Sequence, residues 1–193
     1  MESFAFRRET PALLLAGQAA FLAMMASCLA IRPSAVAIQR GLSFYGNQAE
    51  TVVPFVAGFV ACVALTALGV VRLGGGDEFR RRFRLGTGAV VALMALVPLT
   101  PYSVDLVLDY LHIGITTILF SAGLAFGAWL GCGLLRRRRT ALAAVAIQAA
   151  SAVLVLTAQV GLHDLMIPSQ LVFDVSFAAL VVMSAAHLAA QAR

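Results

Sequence analysis

This sequence has few charged residues. Only 12% of its 193 residues are charged and 61% are hydrophobic, whereas soluble domains average about 25% charged and about 45–50% apolar residues. So few charges cannot cover a surface that faces water, which excludes a cytosolic enzyme, a disordered tail and a disulfide-stapled secreted domain. Most of the chain is therefore expected to be surrounded by lipid.

Lysine and the usual catalytic motifs are absent. All 14 basic residues are arginine, and an Ala- and Arg-rich chain without lysine is typical of a GC-rich bacterial genome. Cys28, Cys62 and Cys132 lie in apolar stretches without CxxC spacing, which favours buried small hydrophobic residues over a zinc knuckle. The motifs HExxH and GxSxG do not occur. We therefore assign no catalytic residue and no cofactor, and favour a protein that is not an enzyme.

Long apolar runs fill the rest of the sequence. A membrane-spanning helix needs about 20 apolar residues, and six windows meet or approach this length: 11–31, 51–73, 85–101, 109–135, 140–162 and 171–190. The third is the shortest and ends at Pro98 and Pro101, which cannot donate backbone hydrogen bonds. The connections are too short for a soluble domain. The sequence thus predicts one all-α integral membrane domain, residues 1–193, with six transmembrane helices.

The arginines predict how these helices cross the membrane. The N-terminus, the second and fourth connections and the C-terminus together hold 12 arginines, and the other connections hold only Arg32 and Arg40. Arginine accumulates on the cytoplasmic side of bacterial membrane proteins. Both termini are therefore expected in the cytoplasm of a multi-pass plasma-membrane protein. Because the arginines flank apolar runs, nucleic-acid binding is not expected, and the partners of Arg136, Arg137, Arg138 and Arg139 are expected to be anionic lipid headgroups.

Three glycines predict close helix packing in the fourth span. Gly123, Gly127 and Gly131 recur every four residues, which places them on one helix face that another backbone can approach closely. We expect this face to contact a helix of the same bundle, with homo-oligomerisation as the alternative.

Ionisable residues concentrate near the predicted outer ends of the spans. Asp105, Asp109, His112 and Thr116 follow one another at helical spacing, and intramembrane ionisable groups usually face a bundle interior or a wet cavity. We therefore predict an outward-facing polar vestibule that binds or passes a small polar or lipidic ligand. Its candidate residues are Tyr45, Asn47, Glu50, Asp105, Asp109, His112, His163, Asp164 and Asp174.

Two other functions remain open at this stage. His112, His163 and Asp109 would suffice as ligands for a zinc ion with one open position, as in a hydrolase acting on lipid headgroups. A structural or accessory membrane subunit is the third interpretation.

The first outer loop carries a family resemblance. Its residues Ser43, Tyr45, Gly46, Asn47, Glu50 and Pro54, followed by His112 and Gly114 at the start of the fourth span, resemble the bacterial six-span membrane proteins grouped as domain of unknown function 998. That layout is also similar to the DRAM and Sfk membrane proteins. The resemblance implies a six-helix architecture in which the first loop closes over the outer end of the bundle, and it implies no established activity.

Overall fold

The computed structural model describes residues 2–73, 77–101, 105–135, 138–160 and 163–191. The side chains of residues 2–8, 35, 159, 160 and 163 lie outside this description. The described residues form an all-α structure with seven α-helices: α1 (Glu2–Ile31), α2 (Ala35–Arg40), α3 (Val52–Val71), α4 (Glu78–Leu96), α5 (Leu106–Ala128), α6 (Arg139–Val160) and α7 (Met166–Ala190). A π-helical turn, Trp129–Leu134, continues α5.

Six of these helices are long and apolar enough to cross a membrane, which confirms the predicted fold class. Their apolar segments are Glu9–Ile31, Val52–Val71, Glu78–Leu99, Leu106–Leu134, Arg139–Ala158 and Met166–Ala190. The remaining helix, α2, has six residues and belongs to the connection between α1 and α3.

The third span begins earlier than the sequence analysis predicts. The helix starts at Glu78 rather than at Leu85 because Asp77 caps it: the Asp77 side chain accepts a hydrogen bond from the Arg80 backbone N–H at 2.9 Å. Glu78 then accepts hydrogen bonds from the Arg81 and Arg82 guanidinium groups, one turn further on. The arginines assigned to a connection therefore form the first turns of α4.

The six long helices pack as a closed ring. In chain order, α1 packs against α3, α3 against α4, α4 against α5, α5 against α6, and α6 against α7, and α7 returns to α1. A further contact between α5 and α7 crosses the ring. We call the end that carries the 32–51 connection the loop end, and the end that carries Arg72, Arg80 and Arg138 the arginine end.

Apolar side chains close the ring near both ends. A cluster centred on Phe83, Leu130 and Leu180 lies at the arginine end, and a second cluster, centred on Phe21 and Phe59, lies beneath the connection at the loop end. Polar side chains occupy the space between the two clusters, which is where the candidate site lies.

The glycine face of α5 packs inside the bundle. A Cβ atom built on Gly127 would stand 2.1 Å from Gln148 Oε1 of α6, and one on Gly131 would stand 2.2 Å from Val145 Cγ2 of the same helix. A Cβ atom built on Gly123 would stand 3.2 Å from the ring of Phe173 of α7. These glycines therefore let α6 and α7 approach α5 closely within one chain.

Candidate functional site

The connection between α1 and α3 folds over the loop end of the bundle. Gly41 takes a φ of 82°, a conformation that residues with a Cβ rarely adopt. This turn brings the backbone against α7, where Leu42 N–H donates a hydrogen bond to Gln170 Oε1 at 3.0 Å. A Cβ on Gly41 would lie 2.9 Å from the same oxygen. The connection is thus fastened to the helix that carries Asp174.

Tyr45 lies at the centre of this connection and is fully buried. Its hydroxyl donates to the Arg32 carbonyl oxygen at 3.4 Å, and its own carbonyl accepts a hydrogen bond from the Thr51 hydroxyl at 2.7 Å. Burial, with a smaller effect of Cys28, raises the pKa of Tyr45, so the phenol stays a neutral donor. Tyr45 therefore holds the connection together instead of facing a ligand.

Glu50 lies on the exposed rim of the connection. It pairs with Arg32 at 2.9 Å, and a hydrogen bond from its own backbone together with the Arg32 guanidinium lowers its pKa. This carboxylate is charged at neutral pH and is already neutralised locally.

His112 is buried, with 6% of its surface exposed, and both of its ring nitrogens are engaged. Nδ1 lies 2.6 Å from the Thr100 carbonyl oxygen and Nε2 lies 2.8 Å from Ser43 Oγ. Since a carbonyl oxygen only accepts hydrogen bonds, Nδ1 carries the proton, and Nε2 accepts a hydrogen bond from the Ser43 hydroxyl. His112 therefore joins α5 to the connection after α4 and to the 32–51 connection.

The other predicted rim residues have local roles or lie at the surface. Asp105 caps α5 by accepting the Leu108 backbone N–H at 2.8 Å, and Asp164 accepts a hydrogen bond from Gln39 at 2.9 Å. Asn47 is exposed and Asp109 is half-buried, and the side chain of His163 lies outside the described residues. The predicted vestibule residues are thus spread around the loop end.

Of the metal ligands considered from the sequence, His112, His163 and Asp109, the side chain of His163 lies outside the described residues. Among the described residues, no group of three or more histidine, cysteine, aspartate or glutamate side chains is arranged to hold a metal ion. In this structure the two ring nitrogens of His112 contact Ser43 Oγ and the Thr100 carbonyl oxygen.

Asp174 is half-buried and lies further along its helix than the other predicted residues of α7 and its preceding turn. It is the ninth residue of α7, about 12 Å along the helix axis from Met166. Three neighbouring cavities are all lined by Asp174 and Phe21. The candidate site is therefore the space around this carboxylate.

The first of these spaces, the loop-side cavity, has a volume of about 70 Å³. Leu42 and Ser43 of the connection and Thr116 of α5 line it, together with Gln170 and Asp174 of α7. It lies directly beneath the connection that His112, Tyr45 and Gln170 hold in place.

The second, the lateral groove, has a volume of about 300 Å³ and lies between α1 and α7. Its walls are apolar, and Gln18 and Asp174 supply its polar groups. The lining residues are Leu15, Gln18, Phe21, Leu22, Asp174, Val175, Ala178, Ala179, Val182 and Met183. Leu15, Val175 and Ala179 are exposed, so the groove opens onto the outer surface of the bundle, where lipid would lie.

The third, the mid-bundle cavity, has a volume of about 30 Å³. Its polar lining comes from four helices: Gln18 of α1, Thr66 of α3, Thr87 of α4 and Asp174 of α7. The sequence analysis does not select Gln18, Thr66 or Thr87. A lone glutamine or threonine in an apolar span has the same pattern whether it faces lipid, a neighbouring helix or a cavity.

The arginine run at the start of α6 is described only in part. Arg138 and Arg139 are exposed, and Arg136 and Arg137 lie outside the described residues. Anionic headgroups remain the predicted partners of this run.

Comparison with known proteins finds no matching family model, curated protein or solved structure.

Proposed function

We propose that this chain is a multi-pass protein of a bacterial plasma membrane that binds, and passes, an amphiphilic lipidic ligand through the space around Asp174. The observation that carries the proposal is the junction of two unlike spaces at one carboxylate. The lateral groove and the loop-side cavity share Phe21 and Asp174, and the cavity alone adds the polar side chains of Ser43, Thr116 and Gln170 to an otherwise apolar lining. An amphiphile has the same division into an apolar part and a polar part.

The sizes of the two spaces favour a slender ligand with a small head. The groove, at about 300 Å³, is at the lower end of the volumes of small-molecule sites, about 300–1,000 Å³. The loop-side cavity of about 70 Å³ has room for a hydroxyl or amino group with a few waters. One alkyl chain in the groove and a small head in the cavity would fill both.

The charge around the site favours a head that donates hydrogen bonds. Asp174 is the charged residue among those that line the three spaces. A carboxylate in a region of low dielectric attracts a cationic or donor group and repels a phosphate. Long-chain amines and alcohols therefore fit the site better than anionic phospholipids do.

The route to the site runs through the bilayer. Connections at the loop end are tied down by Tyr45, His112 and Gln170, whereas the groove opens along the exposed side of α1 and α7. The outward-facing vestibule predicted from the sequence becomes, in this proposal, a cavity beneath the 32–51 connection that a lipidic ligand enters from the side.

The proposal is tested by closing the groove. The variant Ala179→Trp places a bulky ring in the groove wall, and Ala150→Trp places the same ring on the exposed side of α6, also in the middle of its helix. Protein in nanodiscs is labelled with a long-chain alkylamine that carries a photoactivatable group. The wild type and Ala150→Trp are expected to be labelled on α1 and α7, as mapped by peptide mass spectrometry, and Ala179→Trp is expected to lose most of this labelling.

Two results would contradict the proposal. One is equal labelling of Ala179→Trp and the wild type at the same peptides. The other is labelling without selectivity for the amine head, in which an excess of unlabelled alkylamine reduces the labelling no more than an excess of alkyl phosphate does.

A further inference from the structure

Thr66 and Thr87 line the mid-bundle cavity and belong, with Thr10 and Ser184, to the buried helical hydroxyls that have no hydrogen-bond partner among the described residues. In a membrane helix, a serine or threonine hydroxyl usually donates back to the carbonyl three or four residues earlier. Thr116 and Thr157 do so, bonding His112 O at 2.9 Å and Val153 O at 3.1 Å. Thr66 and Thr87 do not.

Thr87 is 2% exposed and its Oγ1 has no hydrogen-bond partner among the described residues. Thr66 is 6% exposed, and its Oγ1 lies near the Cys62 thiol, one turn earlier on α3, without a hydrogen bond of normal geometry. A buried hydroxyl without a hydrogen-bond partner loses its hydration without compensation. Both side chains line the cavity that contains Asp174, so both hydroxyls lack a partner on the border of the same small space.

The Asp174 carboxylate is the charged group that lines this cavity. None of the described residues donates a hydrogen bond or forms an ion pair to its carboxylate. The three cavities that it lines contain no arginine or histidine. Charged groups within a membrane are paired, face water or serve an ion pathway, because the lipid core does not solvate them.

From this arrangement we infer that the Asp174 carboxylate, together with the oxygens of the mid-bundle cavity, binds a small monovalent cation of the sodium class. A single carboxylate balances one positive charge, whereas Ca²⁺ and Mg²⁺ prefer several oxygen ligands that include more than one anionic group or substrate phosphate. The Thr66 and Thr87 hydroxyls and the Gln18 side-chain oxygen supply neutral donors. A volume of about 30 Å³ accommodates the ion with about one water.

The proton is the natural competitor of this cation. Both bind the same carboxylate, so the affinity for the metal cation should rise with pH and fall when Asp174 is protonated. The Cys62 thiol of α3 is a titratable group on a neighbouring helix that interacts electrostatically with Asp174. The lining residues from α1, α4 and α5 include no titratable side chain, so the competition would report on Asp174.

This inference goes beyond the proposed lipidic ligand and does not require it. The site uses a cavity that the lateral groove reaches only at Gln18, Phe21 and Asp174. The two proposals are separated if Ala179→Trp loses alkylamine labelling and still binds Na⁺. They are also separated if a variant loses Na⁺ binding and is still labelled by the alkylamine.

The test is a cation titration of the purified full-length protein in detergent. Radiolabelled Na⁺ binding and the thermal unfolding midpoint are measured in NaCl, KCl and choline chloride at one ionic strength, at a basic and an acidic pH. We expect saturable Na⁺ binding, a midpoint that rises with the logarithm of the Na⁺ concentration, and loss of both effects at acidic pH.

Variants locate the effect. Asp174→Asn, which keeps the shape and removes the charge, should abolish Na⁺ binding and still fold, because it removes a half-buried charge that has no partner among the described residues. Thr87→Val should weaken binding by about tenfold, the loss expected for one hydrogen-bonding or coordinating oxygen to a charged group. Thr157→Val is the matched control, since its hydroxyl is already bonded within α6, and it should bind Na⁺ as the wild type does.

Either of two outcomes overturns the inference. Equal midpoints in all three salts would show that the protein does not distinguish Na⁺ from K⁺ or choline. Saturable Na⁺ binding that survives in Asp174→Asn would place the ion elsewhere in the protein.

Discussion

At the scale of single residues, His112 and Asp174 have similar sequence contexts but different surroundings in the structure. Both are ionisable residues within apolar spans, and both belong to the predicted vestibule. His112 is buried with a partner for each nitrogen, Ser43 and Thr100, whereas Asp174 lies among cavities without a partner from the described residues. The difference is in the neighbouring elements, not in the helices that carry the two side chains.

Removing the His112 ring should lower stability. His112→Ala loses two hydrogen bonds, leaves the Ser43 hydroxyl without its acceptor and opens a small cavity, which together should cost about 2–4 kcal/mol. Ser43→Ala removes one partner and should cost about 1 kcal/mol. The free energy of unfolding is measured by reversible unfolding in mixed micelles. The wild type, the two single variants and the double variant together form a double-mutant cycle.

The coupling energy decides whether the contact is structural. A cycle in which the two losses simply add would mean that the His112–Ser43 hydrogen bond is not formed. Sodium binding in His112→Ala serves as a control and should remain, because His112 does not line the mid-bundle cavity.

At the scale of elements, the contact between α5 and α6 depends on the absence of side chains at two positions. Gly127 and Gly131 each leave a Cβ-sized space that a residue of α6 fills. In lipid, such contacts rely on close packing because there is little hydrophobic drive for helices to associate. The π-helical turn at Trp129–Leu134 lies where this close approach continues.

Gly131→Ala should be destabilising and Gly114→Ala should not. A Cβ at position 131 would meet Val145 Cγ2 at 2.2 Å, with the Ala141 carbonyl at 3.2 Å, while nothing lies within 4 Å of a Cβ at position 114. Overpacking of this kind costs about 1–3 kcal/mol. Val145→Ala in the same chain should restore most of the loss, as measured by thermal unfolding. Equal midpoints for the two single alanine variants would show that α5 and α6 are not in this register.

At the scale of the whole molecule, the arginines divide the protein into two unlike ends. Arg72 pairs with Glu9, and Arg80 pairs with Asp77, at the arginine end. Some of the arginine charge there is neutralised within the protein, and Arg138 and Arg139 are exposed. The orientation in the membrane follows from the positive-inside rule and stays a prediction.

Cysteine labelling tests that orientation. In a Cys132→Ser parent, where the remaining cysteines Cys28 and Cys62 are buried, Asn47→Cys places an accessible thiol at the loop end and Arg138→Cys places one at the arginine end. In spheroplasts, a membrane-impermeant maleimide should label the first variant and spare the second. After detergent permeabilisation, which is the control, both thiols should be labelled. The reverse labelling pattern in spheroplasts would contradict the predicted orientation.

The glycine face and the helix capping residues show how far the sequence reasoning extends into the structure. Spacing alone placed Gly123, Gly127 and Gly131 on one face, but not which helix fills it, since any neighbour would satisfy the pattern. The early start of α4 at Glu78 was missed because the arginines that follow are typical of a connection, whereas their pairing with Asp77 and Glu78 makes them part of the helix.

Length and hydropathy by themselves determined that this chain is all-α with six helices able to cross a membrane, because the lipid core requires about 20 apolar residues per crossing and internally satisfied backbone hydrogen bonds. Only the tertiary structure decided which polar side chains share a space. Convergence of Gln18, Thr66, Thr87 and Asp174 on one cavity depends on the rotation and order of four helices. These are set by packing contacts such as Gly131 on Val145 and Leu42 on Gln170, between residues distant in the chain.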